Sequence, residues 1–452
     1  MGWTAHETWL VVWAAASIAT IVVLISYLKL HAFLALVLGS GVVGLASGLE
    51  PGDVIKQFEN GFGSTLGSVG ILVALGTMLG KLLADSGGAD RIVNTIIEWA
   101  GVRRLPWAMA LIAMIVGIPL FFEVGVVLLM PVILLMTRRS GTSIVRVGIP
   151  ALAGLSVMHG LVPPHPGPLI AVDALKADLG QTMAFGLIAA IPTVIIAGPL
   201  FGTWIGKRVV PAPPEPLVDH FSQPGAAGLE NAPSFAVTLC TILLPVVLML
   251  GKALADLLLA RTQSVRLWID FLGDPLMALL IAVLVAMFTF GYLRGFPKAK
   301  IGALLGDSLA PIAGIVIIIG AGGGFKQMLI AGGIGTAIGK AAATTSISPL
   351  VLGWLIAVGI RLATGSATVA TVTAAGLMAP IMKDLPSASA PLLALSIGAG
   401  SVFFSHVNDA GFWLVKEYFG MTVGETIKTW SCMETLVSVV GLGCLLLIAL
   451  LV

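Results

Sequence analysis

The sequence predicts an all-α polytopic membrane protein made of two inverted repeats, each with transmembrane helices, a helical hairpin and a broken helix. Three observations lead there. The 452 residues are 58% hydrophobic and 10% charged, against about 25% charge in soluble domains, and mean hydropathy is +1.06. Apolar runs of roughly 20 residues recur, each long enough to cross a hydrocarbon core of about 30 Å. The runs beyond a proline-rich interruption repeat the rhythm of those before it. This composition excludes a cytosolic enzyme, and it excludes disorder, because charge is scarce and apolar residues dominate. The partner it requires is the lipid bilayer. A net charge of +2 points to no nucleic-acid partner.

The first run, Trp9 to Leu28, lacks a clear basic segment before it. Its length of about 20 residues makes it a retained helix rather than a cleaved signal. Runs follow at 31–49, 66–84, 106–137, 150–175 and 183–205. Gly206 to Ser234 is polar and holds Pro211, Pro213, Pro214, Pro216, Pro224 and Pro233. Further runs lie at 235–259, 276–293, 305–329, 349–382, 390–415 and 429–452. The chain thus divides into an N-terminal repeat over 1–205, a cytoplasmic linker over 206–234 and a C-terminal repeat over 235–452.

A shift of 244 residues aligns Ser64, Gly70, Ile71, Gly76 and Gly80 with Ser308, Gly314, Ile315, Gly320 and Gly324. One inserted residue later, Lys81, Gly87 and Gly88 meet Lys326, Gly332 and Gly333. Both copies carry G-x-x-x-G, a spacing that lets helix backbones approach closely. The three cysteines, Cys240, Cys432 and Cys444, sit in or beside apolar runs and read as small packing residues.

Orientation follows from Lys and Arg. If 106–137 and 349–382 are hairpins whose ends share a face, the halves are inverted. One face then receives Lys29, Arg91, Arg103, Arg104, Arg138, Arg139, Arg146, Lys207, Arg208, Arg294, Lys298, Lys300, Lys416 and Lys428. The other receives Lys56, Lys176, Arg261, Arg266, Lys340 and Lys383, which is 14 against 6. The richer face is cytoplasmic, which puts both termini outside. Lys81, Lys252, Lys326 and Arg361 lie inside or at the ends of apolar runs.

Four irregular segments interrupt the runs, two per half in matching order. Gly117 to Gly125 is a helix break carrying Glu123 deep in an apolar run. Met158 to Pro168 holds four prolines and two glycines and cannot continue a helix. Arg361 to Thr371 is small and hydroxyl-rich, and Ser405 to Gly411 is densely polar between aromatic residues. At membrane depth, irregular backbone is tolerated only against protein or a water-filled cavity. Two hairpins and two broken helices in an inverted pair point to a transport site at the repeat interface.

Free N–H groups at half-helix starts suit an anion's carboxylate. Thr364, Ser366, Thr368, Ser405 and Asn408 suit a polyhydroxylated body, Arg361 is placed to pair with a carboxylate, and Gly365 and His165 complete the binding set. Glu123 and Asp409 are candidates for proton coupling, since an acid in an apolar run is costly; a structural ion pair is the alternative for each. His159 and His406 are candidates because imidazole titrates near neutral pH, or they cap broken helices. The hydroxyls at 364–371 either line the site or bond back to helical carbonyls.

Rival chemistries lack their motifs. Gly333 to Lys340 has the wrong spacing for a phosphate loop, H-E-x-x-H is absent, and Ser156 and His159 share one segment. No residue set calls for a metal or a cofactor. A passive anion channel is the reading from another class, but a channel has no need of paired broken helices.

At these segments the chain resembles the gluconate permease family of proton symporters, within the wider ion-transporter superfamily. The stretches that carry the resemblance are GFGSTLGSVGILVALGTMLGKLLADSGGADRI from Gly61, HGLVPPHPGPLIA from His159, ATGSATVATVTAAGLMAPI from Ala363 and SHVNDAGFWLVKEYFGMT from Ser405. They span both halves. The resemblance implies bacterial inner-membrane uptake of gluconate or a related sugar acid with protons. It also implies a homodimer with a scaffold and a moving transport domain. Family members differ in cargo, some taking other hydroxy acids or D-serine.

Overall fold

A computed structural model describes residues 4–118, 122–163, 165–212, 214–215, 231–258, 264–334, 347–379 and 389–451. Among them all regular structure is helical. In the first half these are α1 (Ala5–Ser26), α2 (Ala32–Ala46), α3 (Pro51–Thr65), α4 (Ile71–Asp85), α5 (Gly88–Gly117), α6 (Phe122–Ser140), α7 (Ile144–Leu161), α8 (Pro166–Leu175), α9 (Leu179–Ile195) and α10 (Phe201–Ile205). The second half has α11 (Phe235–Leu258), α12 (Ser264–Leu272), α13 (Pro275–Ala286), α14 (Lys298–Asp307), α15 (Ala313–Ala331) and α16 (Pro349–Thr364). It ends with α17 (Ala367–Met378), α18 (Ser389–Ser401), α19 (Ala410–Phe419), α20 (Val423–Thr426) and α21 (Cys432–Ala449). Nine continuous helical stretches among the described residues are long and apolar enough to cross a membrane. Most of the linker reading, residues 213 and 216–230, lies outside the described residues.

Local chemistry sets the helix ends. Ser143 accepts from the Val145 N–H at 3.2 Å to start α7, and Asp178 accepts from Gln181 at 2.7 Å to start α9. Each satisfies an N–H that the helix leaves free. Pro166 opens α8 at a position where no N–H is needed. Within α5, Gly101 has φ +68° and ψ 156°, so the helix bends there and its later part forms the hairpin with α6. The spans containing α3 and α14 begin earlier than the apolar runs at 66 and 305. Lys56, Gln57, Glu59 and Asn60 dilute the hydropathy of α3, although the helix packs on α15 and Gln57 itself accepts from Gln327 there at 2.9 Å.

The predicted interruptions are all present as helix ends: α5/α6 and α16/α17 turn back, while α7/α8 and α18/α19 break. Residues 119–121 and 164 of the first two segments lie outside the described residues. Helix α7 is almost wholly buried and packs on α5, α6, α9 and α21. Small residues let helices touch through backbone. A Cβ on Gly398 of α18 would collide with the Gly160 carbonyl of α7, so the two broken helices cross at this glycine pair. Gly320 and Gly324 of α15 receive Phe62 and Phe58 of α3. A separate apolar cluster joins α8, α16, α17 and α18 through Val172, Ile356, Ala374 and Leu393.

Candidate functional site

The tip of the second hairpin is built around Gly365. It ends α16 at φ +65°, donating its N–H to the Arg361 carbonyl at 2.9 Å. A Cβ there would run into the backbone oxygen of Asn408, so only glycine serves both the left-handed turn and the close approach. Arg361, 5% exposed, folds over the tip. Its Nη1 donates to the Gly365 carbonyl at 2.6 Å and its Nη2 to Asp409 Oδ2 at 2.5 Å.

Asp409 is also the N-cap of α19, accepting from the Gly411 N–H at 3.0 Å. The Ser405 hydroxyl donates to Asp409 Oδ2 and accepts from Trp430 Nε1 at 2.8 Å. His406 Nε2 and Asn408 Nδ2 both donate to the Leu362 carbonyl, at 3.0 and 2.8 Å. The second hairpin and second broken helix are therefore one bonded unit. Phe404, at φ +41°, holds a strained backbone within this break.

The first half has a similar clasp. His165, 2% exposed, donates Nε2–H to the Gly117 carbonyl at 2.7 Å, tying the first break to the first hairpin. A carbonyl only accepts, which fixes the proton on Nε2. His159 lies edge-on to His165 with ring centroids 5.0 Å apart, and its Nδ1 is buried without a hydrogen-bond partner.

Between these units lies a cavity of about 540 Å³ reached by all four irregular segments. Glu123, His159, Arg361, Gly365, Ser366, Thr368 and Asp409 line it. His165, Ser405, His406 and Asn408 are not on its lining; they make the bonds that hold the tips. Thr364 is buried and its hydroxyl bonds back to the Ile360 carbonyl at 2.8 Å, so the back-bonding alternative holds at that position. The starts of α6, α17 and α19 all reach the cavity. That of α17 is capped by neutral Ser366, whose Oγ accepts from Val369 at 3.3 Å.

Sequence reasoning missed several lining groups. Lys326 of α15, Lys252 of α11 and Glu434 of α21 are on the lining. Lys326 forms no ion pair among the described residues. Glu434 is 2% exposed, with Oε1 unpartnered and Ser156 of α7 beside it. The signal was present, since each is a charge in an apolar run, the same feature that marks Glu123. Two π-helical turns also contribute: Gly67 and Ser68 come from Leu66–Gly70, and Trp430 from Ile427–Ser431. Such turns favour functional sites. Among the described residues, Lys252, Lys326 and Arg361 face Glu123, Asp274, Asp409 and Glu434, three cations against four carboxylates. No cluster of three or more His, Cys, Asp or Glu among the described residues is placed to hold a metal.

Residues 9–451 match the family described as GntP family permease. A gluconate permease of Pseudomonas aeruginosa is 53% identical over 446 residues, covering 99% of each chain. The high-affinity gluconate transporter of Escherichia coli K12 is 45% identical, over 96% of this chain and 98% of its own. The Gnt-II system L-idonate transporter of the same organism is 44% identical, over 95% and 96%.

Proposed function

The chain belongs to the GntP permease family, and from that premise we propose that it imports gluconate or a related sugar acid by proton symport across the bacterial inner membrane. The observation that carries this reading is a cavity onto which two hairpin ends and two broken helices open together. Its volume of about 540 Å³ falls within the range of about 300–1,000 Å³ used for small ligands.

A sugar acid has a charged end and a hydroxylated body. The carboxylate suits the start of α17, where backbone N–H groups carry partial positive charge, with Lys326 as a lining cation that forms no ion pair among the described residues. The body suits Thr65, Ser68, Ser366 and Thr368. Arg361 is committed to Asp409 and Gly365, so its role is to hold the tip and bias the local field.

Coupling follows from charge balance. With every group ionised the lining already has one excess negative charge, and a monoanion adds a second. A proton on one carboxylate offsets the repulsion. Asp409 is paired and Asp274 caps α13, accepting from the Leu276 N–H at 3.0 Å. Glu123 and Glu434 are the acids left to carry the proton, with His159 as a relay. The matching order of hairpin and broken helix in each half supports two inverted repeats, a cytoplasmic linker and a site at their interface. The homodimer with a moving transport domain belongs to the same reading.

Protein in proteoliposomes should accumulate labelled gluconate when the outside is acidified, and Lys326→Gln should raise the half-saturating concentration about tenfold (~1.4 kcal/mol). Folded protein that never accumulates gluconate above equilibrium under the gradient would overturn symport. The 44% identity to the L-idonate transporter favours a second cargo, read by a competition panel of L-idonate, D-serine and other hydroxy acids with and without sodium.

A further inference from the structure

A second hollow, of about 610 Å³, lies away from the transport cavity, between α5, the start of α7 and the end of α9–α10. Arg103, Arg146, Lys207 and Arg208 line it with Trp107 and Trp204, and no carboxylate among the described residues is on its lining. None of the four cations forms an ion pair among the described residues. Arg208 is held in place: its guanidinium lies 4.1 Å over the Trp204 ring and Nη1 donates to the Trp204 carbonyl at 3.1 Å. Arg146 keeps a buried Nε with no hydrogen-bond partner. Four cations gathered in one hollow repel one another, and an anion bound there would relieve that repulsion.

Two exposed apolar stripes run to this hollow. Trp107, Leu111 and Ile115 repeat every four residues on α5 and are each about half exposed (47, 51 and 55%). Ile188 and Ile191 of α9, and Ile196 and Leu200 of the π turn that follows it, are exposed and lead to Trp204. In a membrane such stripes meet acyl chains, and tryptophan marks the headgroup level.

We propose that this hollow binds the phosphodiester headgroup of one anionic phospholipid, whose acyl chains lie along the two stripes. Basic pockets between transmembrane helices are built for such headgroups, and the Lys and Arg count assigns all four cations to the cytoplasmic face. A free phosphate would leave the stripes unused. A second copy of the chain is disfavoured, because a two-fold contact through the same patch would face four cations with four more.

The test is native mass spectrometry of the full chain in detergent, titrated with phosphatidylglycerol or with phosphatidylcholine of the same chains. Phosphatidylglycerol should be retained preferentially. Arg146→Gln/Lys207→Gln should weaken retention about tenfold, and Lys207→Arg should keep it. Lys298→Gln, an exposed cation on the same predicted face but outside the hollow, should leave it unchanged. A thermal melt of each variant separates lost lipid from lost fold, and Arg146→Gln alone serves if the double variant does not fold. Equal retention by the folded double variant, or equal loss in Lys298→Gln, overturns the site in favour of diffuse charge. Glycerol phosphate binding as tightly as the lipid overturns it in favour of a soluble anion. A changed oligomeric state with unchanged lipid retention overturns it in favour of a contact between copies.

Discussion

On one side of the cavity both Nη groups of Arg361 and both carboxylate oxygens of Asp409 are engaged, and Ser405 links them to Trp430. On the other side, Glu123 and His159 face the space without an ion pair among the described residues, where Glu434 likewise keeps a buried oxygen with no partner. Both sides are made of charges in apolar helices, yet they are arranged for opposite ends. Arg361 keeps its Nε without a partner among the described residues, yet an ion pair fixes geometry, because removing either member strands the other. Charge left unbonded at a cavity is free to change its protonation or its partner. The contrast separates charges that hold the cavity's frame from charges that line it without an ion pair among the described residues.

The sharpest way to break the comparison is Arg361→Ala. It strands the Asp409 carboxylate and should cost about 3–5 kcal/mol of stability, seen as a lowered melting temperature in detergent. Arg361→Ala/Asp409→Ala should cost less than the single change. A double variant that melts lower than the single would show that the pair is not the frame. Next comes Gly365→Ala, where positive φ and the Asn408 oxygen together should cost about 1–3 kcal/mol, read by the same melt. Removing the Ser405 hydroxyl leaves the Trp430 N–H without its acceptor, and Ser405→Ala should lose about 1 kcal/mol. Wild-type melting in that variant would cut the link between α19 and the turn before α21.

The smallest effects on stability belong to the other side. Glu123→Gln and Glu434→Gln, taken separately, should each melt within about 1 kcal/mol of wild type, since neither breaks an ion pair. At least one should lose gradient-driven accumulation while keeping gluconate exchange across the membrane. If both variants accumulate gluconate like the wild type, coupling resides elsewhere.

Much of this organisation was legible in the chain. Prolines at 163, 164, 166 and 168 announce the first break, and Asn408, Asp409 and Gly411 the second, because those residues cannot or need not continue a helix. Arg361 and Asp409 were both visible as costly charges, but not as partners. Their contact joins the end of α16 to the start of α19, and nothing in local sequence encodes it. Ser405 and Asn408 looked like binding residues, and His406 like a proton carrier or a cap, for the same reason: polarity is written in the sequence, and the direction a side chain faces is not. Lys326 and Glu434 sit in unbroken helices, away from the prolines and glycines that drew attention to Glu123. Their importance comes from what packs around them.

The two histidine clasps have a consequence for how such a protein can change. His165 holds residue 117 and His406 holds residue 362, each by its backbone carbonyl. A carbonyl is the part of a residue that mutation cannot remove. At residue 362 the grip specifies no particular side chain, so selection can rewrite the neighbouring surface without dismantling the joint. Inheritance of the assembly and exploration of new cargoes are thereby uncoupled, and one architecture can diversify in what it carries.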